Sequence, residues 1–284
     1  MPILGAHMSI AGGYWRAVAA SAAVGGDCVQ VFTKNNNRWQ GKPLLEEECE
    51  QFQAALREHG IGHTLSHASY LINLASNKPE LLAKSVDAMV DELQRADRLG
   101  IPYVVFHPGS HTTSTPEEGL NTIAESLKTI LQRTEDLTTY PLLENTAGQG
   151  SNLGHQFEQL RFLIDEVGQP DRLGVCIDTC HTFAAGYALA PTEAYETTLQ
   201  QMEATFGIHQ IKAIHLNDSK RPFASRKDRH EHIGQGEMGE EPFRLLLNDA
   251  RFATIPMYLE TEKVEIDGVD MDQMNLDKLR SLIE

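Results

Sequence analysis

Six apolar runs in this chain each close on a side chain of the kind that binds metals: His67, His107, Glu144, Asp178, His215 and Glu260. No other feature narrows the fold as much. Counting the runs that lack such an ending, eight can be read, at residues 3–7, 28–32, 63–67, 103–107, 141–144, 174–178, 211–216 and 256–260. Amphipathic stretches lie between them and carry their own punctuation. Thr115-Pro116-Glu117-Glu118 is a capping box with proline in the first helical turn. The stretch 81–99 opens near Pro79 and stops at Gly100, and 191–206 stops at Gly207. Strands that alternate with helices imply a parallel sheet.

A parallel sheet of this size either lies open and doubly wound or closes on itself. An open nucleotide-binding sheet would show G-x-G-x-x-G or a P-loop after its first strand, and neither is present. The polar strand ends favour closure. In a barrel they converge on one face, where such folds keep their sites, whereas in an open sheet they would be strung along an edge. The expected fold is therefore an α/β, TIM-type (β/α)8 barrel with parallel strands and a metal site at its C-terminal face. Its 284 residues suit one such barrel. No Pro/Ser/Gly-rich linker interrupts them, so a single domain over 1–284 is expected.

A single histidine at a strand end is usually a structural, hydrogen-bonded residue, and His59, His63, His111, His155 and His209 are read that way. His7 ends the first run and is placed around the ligands rather than among them. The set as a whole reads differently. Two further groupings, Asp178-Thr-Cys-His181 and Asp228-Arg-His230, join the six strand ends. Crowded carboxylates and imidazoles are costly to bury unless they are paired or metal-bound. Imidazole with carboxylate suits zinc, and also manganese or iron. The set exceeds the roughly four ligands one zinc takes, which points to several ions with coordination positions left for water or substrate. Three divalent ions would outweigh the charge of Glu144, Asp178, Asp228 and Glu260, leaving the site attractive to a phosphodiester.

The net charge of −16 opposes a nucleic-acid partner, since phosphates must meet positive charge. The distribution softens this: Lys34, Arg38 and Lys42 share one acid-free stretch, and Lys220, Arg221, Arg226, Lys227 and Arg229 share another that is mostly basic. No run approaches the roughly 20 apolar residues of a membrane span, and the N-terminus lacks the pattern of a signal peptide. Cys28, Cys49, Cys176 and Cys180 are too sparse for a disulfide framework, in keeping with a cytoplasmic protein, and Cys176 and Cys180, four apart rather than at zinc-knuckle spacing, read as buried packing.

The stretches GAHMSIAGG, FTKNNNRW, SYLINLA, FHPGSH, ENTAGQGSNLG, GVCIDTCHTFAAGY and HLNDSKRPFASRKDRH, in this order, resemble the signature blocks of the endonuclease IV family over essentially the whole chain. The resemblance implies a barrel with three zinc ions that incises double-stranded DNA 5′ to abasic sites. It leaves a 3′-hydroxyl and a 5′-deoxyribose phosphate, and it also clears blocked 3′ ends. Carried over by motif, His67, His107 and Glu144 would hold the first ion. Glu144, Asp178, His215 and Glu260 would hold the second, and His181, Asp228 and His230 the third. Glu144 would be the catalytic bridge, with a hydroxide beside it attacking phosphorus in line. The loops at the same face would meet DNA through Lys34, Asn35, Asn37, Arg38, Ser69, Tyr70, Leu71, Lys220, Ser225, Arg226 and Arg229, with Tyr70 and Leu71 as a wedge. Family members act as monomers by the same resemblance.

Three positions depart from the family pattern: Asn37 replaces an arginine, Ala224 a glycine and Ala68 an aspartate. Two rival readings remain. A metal-dependent sugar isomerase or epimerase can use this barrel with one or two metals, and would need neither His181 with Asp228 and His230 nor the basic loops. A non-catalytic DNA-damage binding protein would keep metals for stability alone.

Overall fold

A computed structural model describes residues 1–266 and 268–284. Eight parallel strands close into a barrel: β1 (Ile3–His7), β2 (Cys28–Phe32), β3 (His63–His67), β4 (Tyr103–Phe106), β5 (Tyr140–Glu144), β6 (Gly174–Asp178), β7 (Ile211–His215) and β8 (Pro256–Leu259). Each strand pairs with its sequence neighbours, and β1 closes the ring against β8. Closure leaves no unpaired strand edge. The expected barrel is thus what is observed, with strand limits within a residue of those read from the sequence.

The helices around the barrel are α1 (Tyr14–Ala23), α2 (Glu46–His59), α3 (Pro79–Leu99), α4 (Pro116–Arg133), α5 (Phe157–Val167), α6 (Thr179–Ala185), α7 (Thr192–Thr205), α8 (Glu241–Leu247) and α9 (Met271–Ser281). Those with clear punctuation begin and end where the sequence says they should. α3 starts with proline in its first turn and ends on Gly100 in the left-handed conformation (φ 72°), which glycine adopts without steric cost. α4 opens with the capping box: Thr115 Oγ1 accepts from the Glu118 amide and Glu118 Oε2 accepts from the Thr115 amide.

The loops at the barrel mouth rest on two apolar layers. One lies between the barrel and its helices and includes Leu93, Leu127, Leu163 and Phe243, all fully buried. The other fills the barrel itself with Cys28, Leu65, Val105, Leu142, Cys176, Ala213 and Tyr258. This inner plug floors the site above it. Gly5 belongs to the same closure, because a side-chain Cβ there would sit 1.9 Å from the Cys28 carbonyl oxygen. All four cysteines are free and buried, and no described helix is long and apolar enough to cross a membrane.

Candidate metal centre

Side-chain alternation along each strand puts the last inward-facing residue at the C-terminal rim. His67, Glu144, Asp178 and His215 are the final residues of their strands, and His107 and Glu260 stand one residue beyond theirs. His181 comes from the first turn of the short helix α6, whose N-cap is Asp178; the Asp178 carboxylate accepts from the His181 amide at 2.7 Å. Asp228 and His230 arrive on the loop after β7. A two-residue antiparallel ladder between Asp218–Ser219 and His230–Glu231 pins that loop. Buried Asp218 braces it further by accepting from the amides of Gly234, Gly236 and Met238. Neither the ladder nor α6 is legible as an element in the sequence.

Three groups of potential donors form at this rim, with their ligand atoms within 4.8 Å of one another: His67, His107 and Glu144; Glu144, Asp178, His215 and Glu260; and Asp178, His181 and His230. Glu144 stands between the first two. Its Oε2 is 3.1 Å from His67 Nε2 and 3.2 Å from His107 Nε2, while its Oε1 is 2.9 Å from His215 Nδ1. Asp228 lies outside the tight grouping but reaches into it, with one oxygen 3.2 Å from His181 Nε2 and the other 3.2 Å from His230 Nε2. His7 is held off by one residue: its Nδ1 meets Gln30 Nε2 at 2.8 Å and lies 3.8 Å from Glu260.

The donors suit divalent cations. The Nε2 atoms of His181 and His230 are buried with no hydrogen-bond partner, although each has an Asp228 oxygen at 3.2 Å. The atoms are close, yet the N–H direction misses the oxygen. That is how two ligands of one ion sit: with metal arms of about 2.0–2.1 Å, neighbouring corners of a tetrahedron are about 3.3 Å apart. Outer contacts reinforce the orientation, as metal-site histidines require. His67 Nδ1 donates to the Ala68 carbonyl, His181 Nδ1 to the Asn145 carbonyl and His230 Nδ1 to the Glu260 carbonyl. Asn217 escapes a reading of the sequence alone; its amide nitrogen donates to Asp178 Oδ2 at 2.7 Å and its oxygen accepts from the Glu260 amide.

Charges in the ion-free cluster answer one another. Burial disfavours the His230 imidazolium, but Asp178 and Asp228 outweigh it and hold its pKa at about 9. Burial also opposes protonation of His181, where Asp178 and Asp228 prevail, and of His215, where Cys176, Glu260 and Glu144 prevail; both stand well above the usual range. Glu260 is pushed up by burial yet held at about 2 by His215 and His67. Glu144 is also driven well down against burial, by His215 and His107. His7 behaves oppositely, with burial taking it down to about 3. Protons thus occupy the place where cations would balance the carboxylates.

The loops around this rim expose every basic residue expected at a DNA surface except Lys34. Asn35, Asn37, Arg38, Lys220, Arg226 and Arg229 are exposed. Tyr70 is 56% exposed and its ring stands 5.1 Å from that of His67 and 5.9 Å from that of His107, directly beside the cluster. Leu71 is half-buried, and both residues lie in a turn rather than in the following helix. Ser225 Oγ is buried without a partner. Ala224 adopts φ 57°, the strained position that a glycine would relieve. Lys34 and Ser69, expected at the DNA surface, face inward instead. The Lys34 amine lies 2.5 Å from Asp91 and 3.1 Å from Glu92. Ser69 donates its hydroxyl to the Asn36 carbonyl and its amide to Glu92. The cause is Glu92 on α3, 1% exposed, which also accepts from Thr33 Oγ1 and so ties the two loops together from below.

Comparison with known proteins gives consistent matches. The family model described as "Xylose isomerase-like TIM barrel" matches residues 18–282. A relative from Chloroflexus aggregans named "Probable endonuclease 4" is 48% identical over 285 residues, covering 100% of this chain and 98% of its own. The crystal structure of endonuclease IV from Thermus thermophilus superposes with a TM-score of 0.85 at 36% identity, over 99% of this chain and 98% of that one. A D-tagatose 3-epimerase-like protein superposes with a TM-score of 0.73 at 18% identity, over 98% and 96% of the two chains; that likeness speaks to the fold alone.

Proposed function

The chain belongs to the endonuclease IV family, and from that membership we propose that it is an abasic-site endonuclease working as one barrel over residues 1–284. It hydrolyses the phosphodiester 5′ to an abasic site in double-stranded DNA, leaving a 3′-hydroxyl and a 5′-deoxyribose phosphate, and it also removes blocking groups from 3′ ends. The centre holds three zinc ions, with manganese or iron compatible with the same donors. His67, His107 and Glu144 hold the first; Glu144, Asp178, His215 and Glu260 the second; His181, Asp228 and His230 the third. The observation that carries this reading is the pair of buried, unpartnered Nε2 atoms on His181 and His230 facing the two oxygens of Asp228. A one- or two-metal isomerase site has no need of that third set.

Divalent cations in such a centre polarise the phosphoryl oxygens and lower the pKa of a bound water. The chain's own residues do the positioning. Glu144 presents one carboxylate oxygen to each of two donor groups, so a phosphate held there is fixed relative to both. Tyr70 stands at the rim over His67 and His107, where a flipped-out abasic nucleotide leaves space for it and Leu71. Exposed Arg38, Lys220, Arg226 and Arg229 offer the positive charge that an overall −16 chain must concentrate locally to meet phosphates. Arg38 is exposed one residue beyond Asn37, where the family arginine is missing. Four unpaired cysteines agree with a cytoplasmic setting, and the chain acts as a monomer.

The test is incubation with a duplex containing one tetrahydrofuran abasic analogue, with and without a chelator, alongside metal analysis. Incision that the chelator abolishes, at about three ions per chain, is expected. Binding without incision by fully metal-loaded protein would hand the argument to a damage-binding role, and one or two ions per chain would favour an isomerase.

A further inference from the structure

The strand Cys28-Val-Gln-Val-Phe32 has one polar residue among apolar ones, Gln30, and it is fully buried. Its carboxamide spends every contact at the metal centre. Nε2 lies 2.5 Å from Glu260 Oε1 and 2.8 Å from His7 Nδ1, and Oε1 lies 2.8 Å from His215 Nε2. These contacts determine proton positions. An ionised carboxylate only accepts, so the amide nitrogen must face Glu260 and the amide oxygen must face His215. Flipping the amide would set two acceptors against each other in a buried place. Once an ion displaces one ring proton, His215 must therefore keep its remaining proton on Nε2, which presents Nδ1, turned inward 2.9 Å from Glu144 Oε1 and 3.2 Å from Glu260 Oε2, to the ion. Gln30 also occupies Glu260 Oε1 and leaves Oε2 for the site. By the same logic His7 Nδ1 accepts, which explains why a histidine at the end of β1 orients Gln30 rather than reaching the cluster.

We infer that Gln30 is a positioning residue of this centre: it selects the ring nitrogen that His215 presents, and the oxygen that Glu260 presents, to the ion held with Glu144 and Asp178. The inference rests on the metal reading given above. His67, His181 and His230 are oriented by backbone carbonyls, which no substitution removes. His215 depends on a side chain, so a substitution at Gln30 reaches this ion through both His215 and Glu260. Outer partners of metal ligands typically govern affinity by about 10–100-fold.

The experiment compares zinc binding by wild-type protein and Gln30→Met, a variant of similar volume without the hydrogen bonds. Each is stripped of metal and back-titrated with zinc against a competing chromophoric chelator. Wild-type protein binds three ions; Gln30→Met binds two with unchanged affinity and the remaining one about 10–100-fold more weakly. Wild-type affinity at all sites, or equal weakening of every ion together with a lower melting temperature of the metal-free form, would overturn the inference while leaving the metal reading intact. A wild-type protein that takes up no zinc would overturn the metal reading itself and this inference with it. Should Gln30→Met fail to fold, the ¹⁵N shifts of the histidine rings in zinc-loaded wild-type protein decide the matter. His215 protonated on Nε2 is the expected state, and protonation on Nδ1 overturns it.

Discussion

Lys34 separates what the sequence suggests from what the structure shows. As a basic residue in an acid-free loop, it should bind a DNA phosphate. In the structure its side chain is 2% exposed and its amine is held by Asp91 and by Glu92, itself 1% exposed. Lys34→Met therefore acts on stability. Removing one partner of a buried pair costs roughly 3–5 kcal/mol. Glu92 retains the Thr33 hydroxyl and the Ser69 amide, so we take the lower end, about 3 kcal/mol. Unfolding entropy of about 2.1 cal/mol/K per residue over 284 residues gives roughly 0.6 kcal/mol/K, and the thermal midpoint should fall by roughly 5 °C. The paired assay is the salt dependence of binding to an abasic duplex. A lysine that neutralises a phosphate contributes about 0.9 to the slope of log K against log salt. Lys34→Met should leave that slope unchanged, whereas Arg38→Ala, on an exposed side chain, should reduce it by about 0.9. A Lys34→Met protein with an unaltered melting temperature and a slope reduced by about 0.9 would refute the buried-pair argument.

Replacing Tyr70 and Leu71 together by glycine should reduce discrimination between abasic and intact duplex, since an aromatic stacked on a base is worth about 1–3 kcal/mol; zinc content should not change, and unaltered kinetics on the two duplexes would remove the wedge. Zinc uptake must displace protons from His181, His215 and His230, the last held at about 9, so zinc affinity should weaken as the pH falls below 9. Against burial, His67 is also raised by Glu144 and Glu260, so calorimetry at pH 7 in buffers of differing ionisation enthalpy should detect proton release on zinc binding, and buffer-independent heats would contradict this. In the ion-free protein the signs differ by group: the His230 contribution to stability is complete below 6.5 and lost as the pH rises through 9, while that of Glu260 is present above 4.5 and lost as the pH falls through 2. Ala224→Gly should raise stability by about 0.5–1 kcal/mol by relieving the left-handed backbone, measured as a higher melting temperature.

Much of the barrel was legible because strand periodicity and strand-end chemistry coincide. His67, Glu144, Asp178 and His215 close their strands in the sequence and line one rim in space. The rest was hidden for physical reasons. Loop side chains have no periodicity to reveal their direction, so Lys34 and Ser69 look solvent-facing until Glu92, on a helix far along the chain, is found beneath them. Asp178 joins both the second and third donor groups because α6 turns immediately after it, a short helix whose packing, not its propensity, sustains it. Gln30 does leave a signal, an amide in an otherwise apolar strand, but its meaning depends on His215 and Glu260, which are far along the chain and close only once the barrel closes.

Anomalous diffraction at the zinc absorption edge, from crystals of wild-type protein grown without chelator, is the most direct measurement. Three peaks are predicted, one each among His67, His107 and Glu144, among Glu144, Asp178, His215 and Glu260, and among His181, Asp228 and His230. A missing peak beside Asp228, or peaks away from this rim, would contradict a three-ion phosphodiesterase.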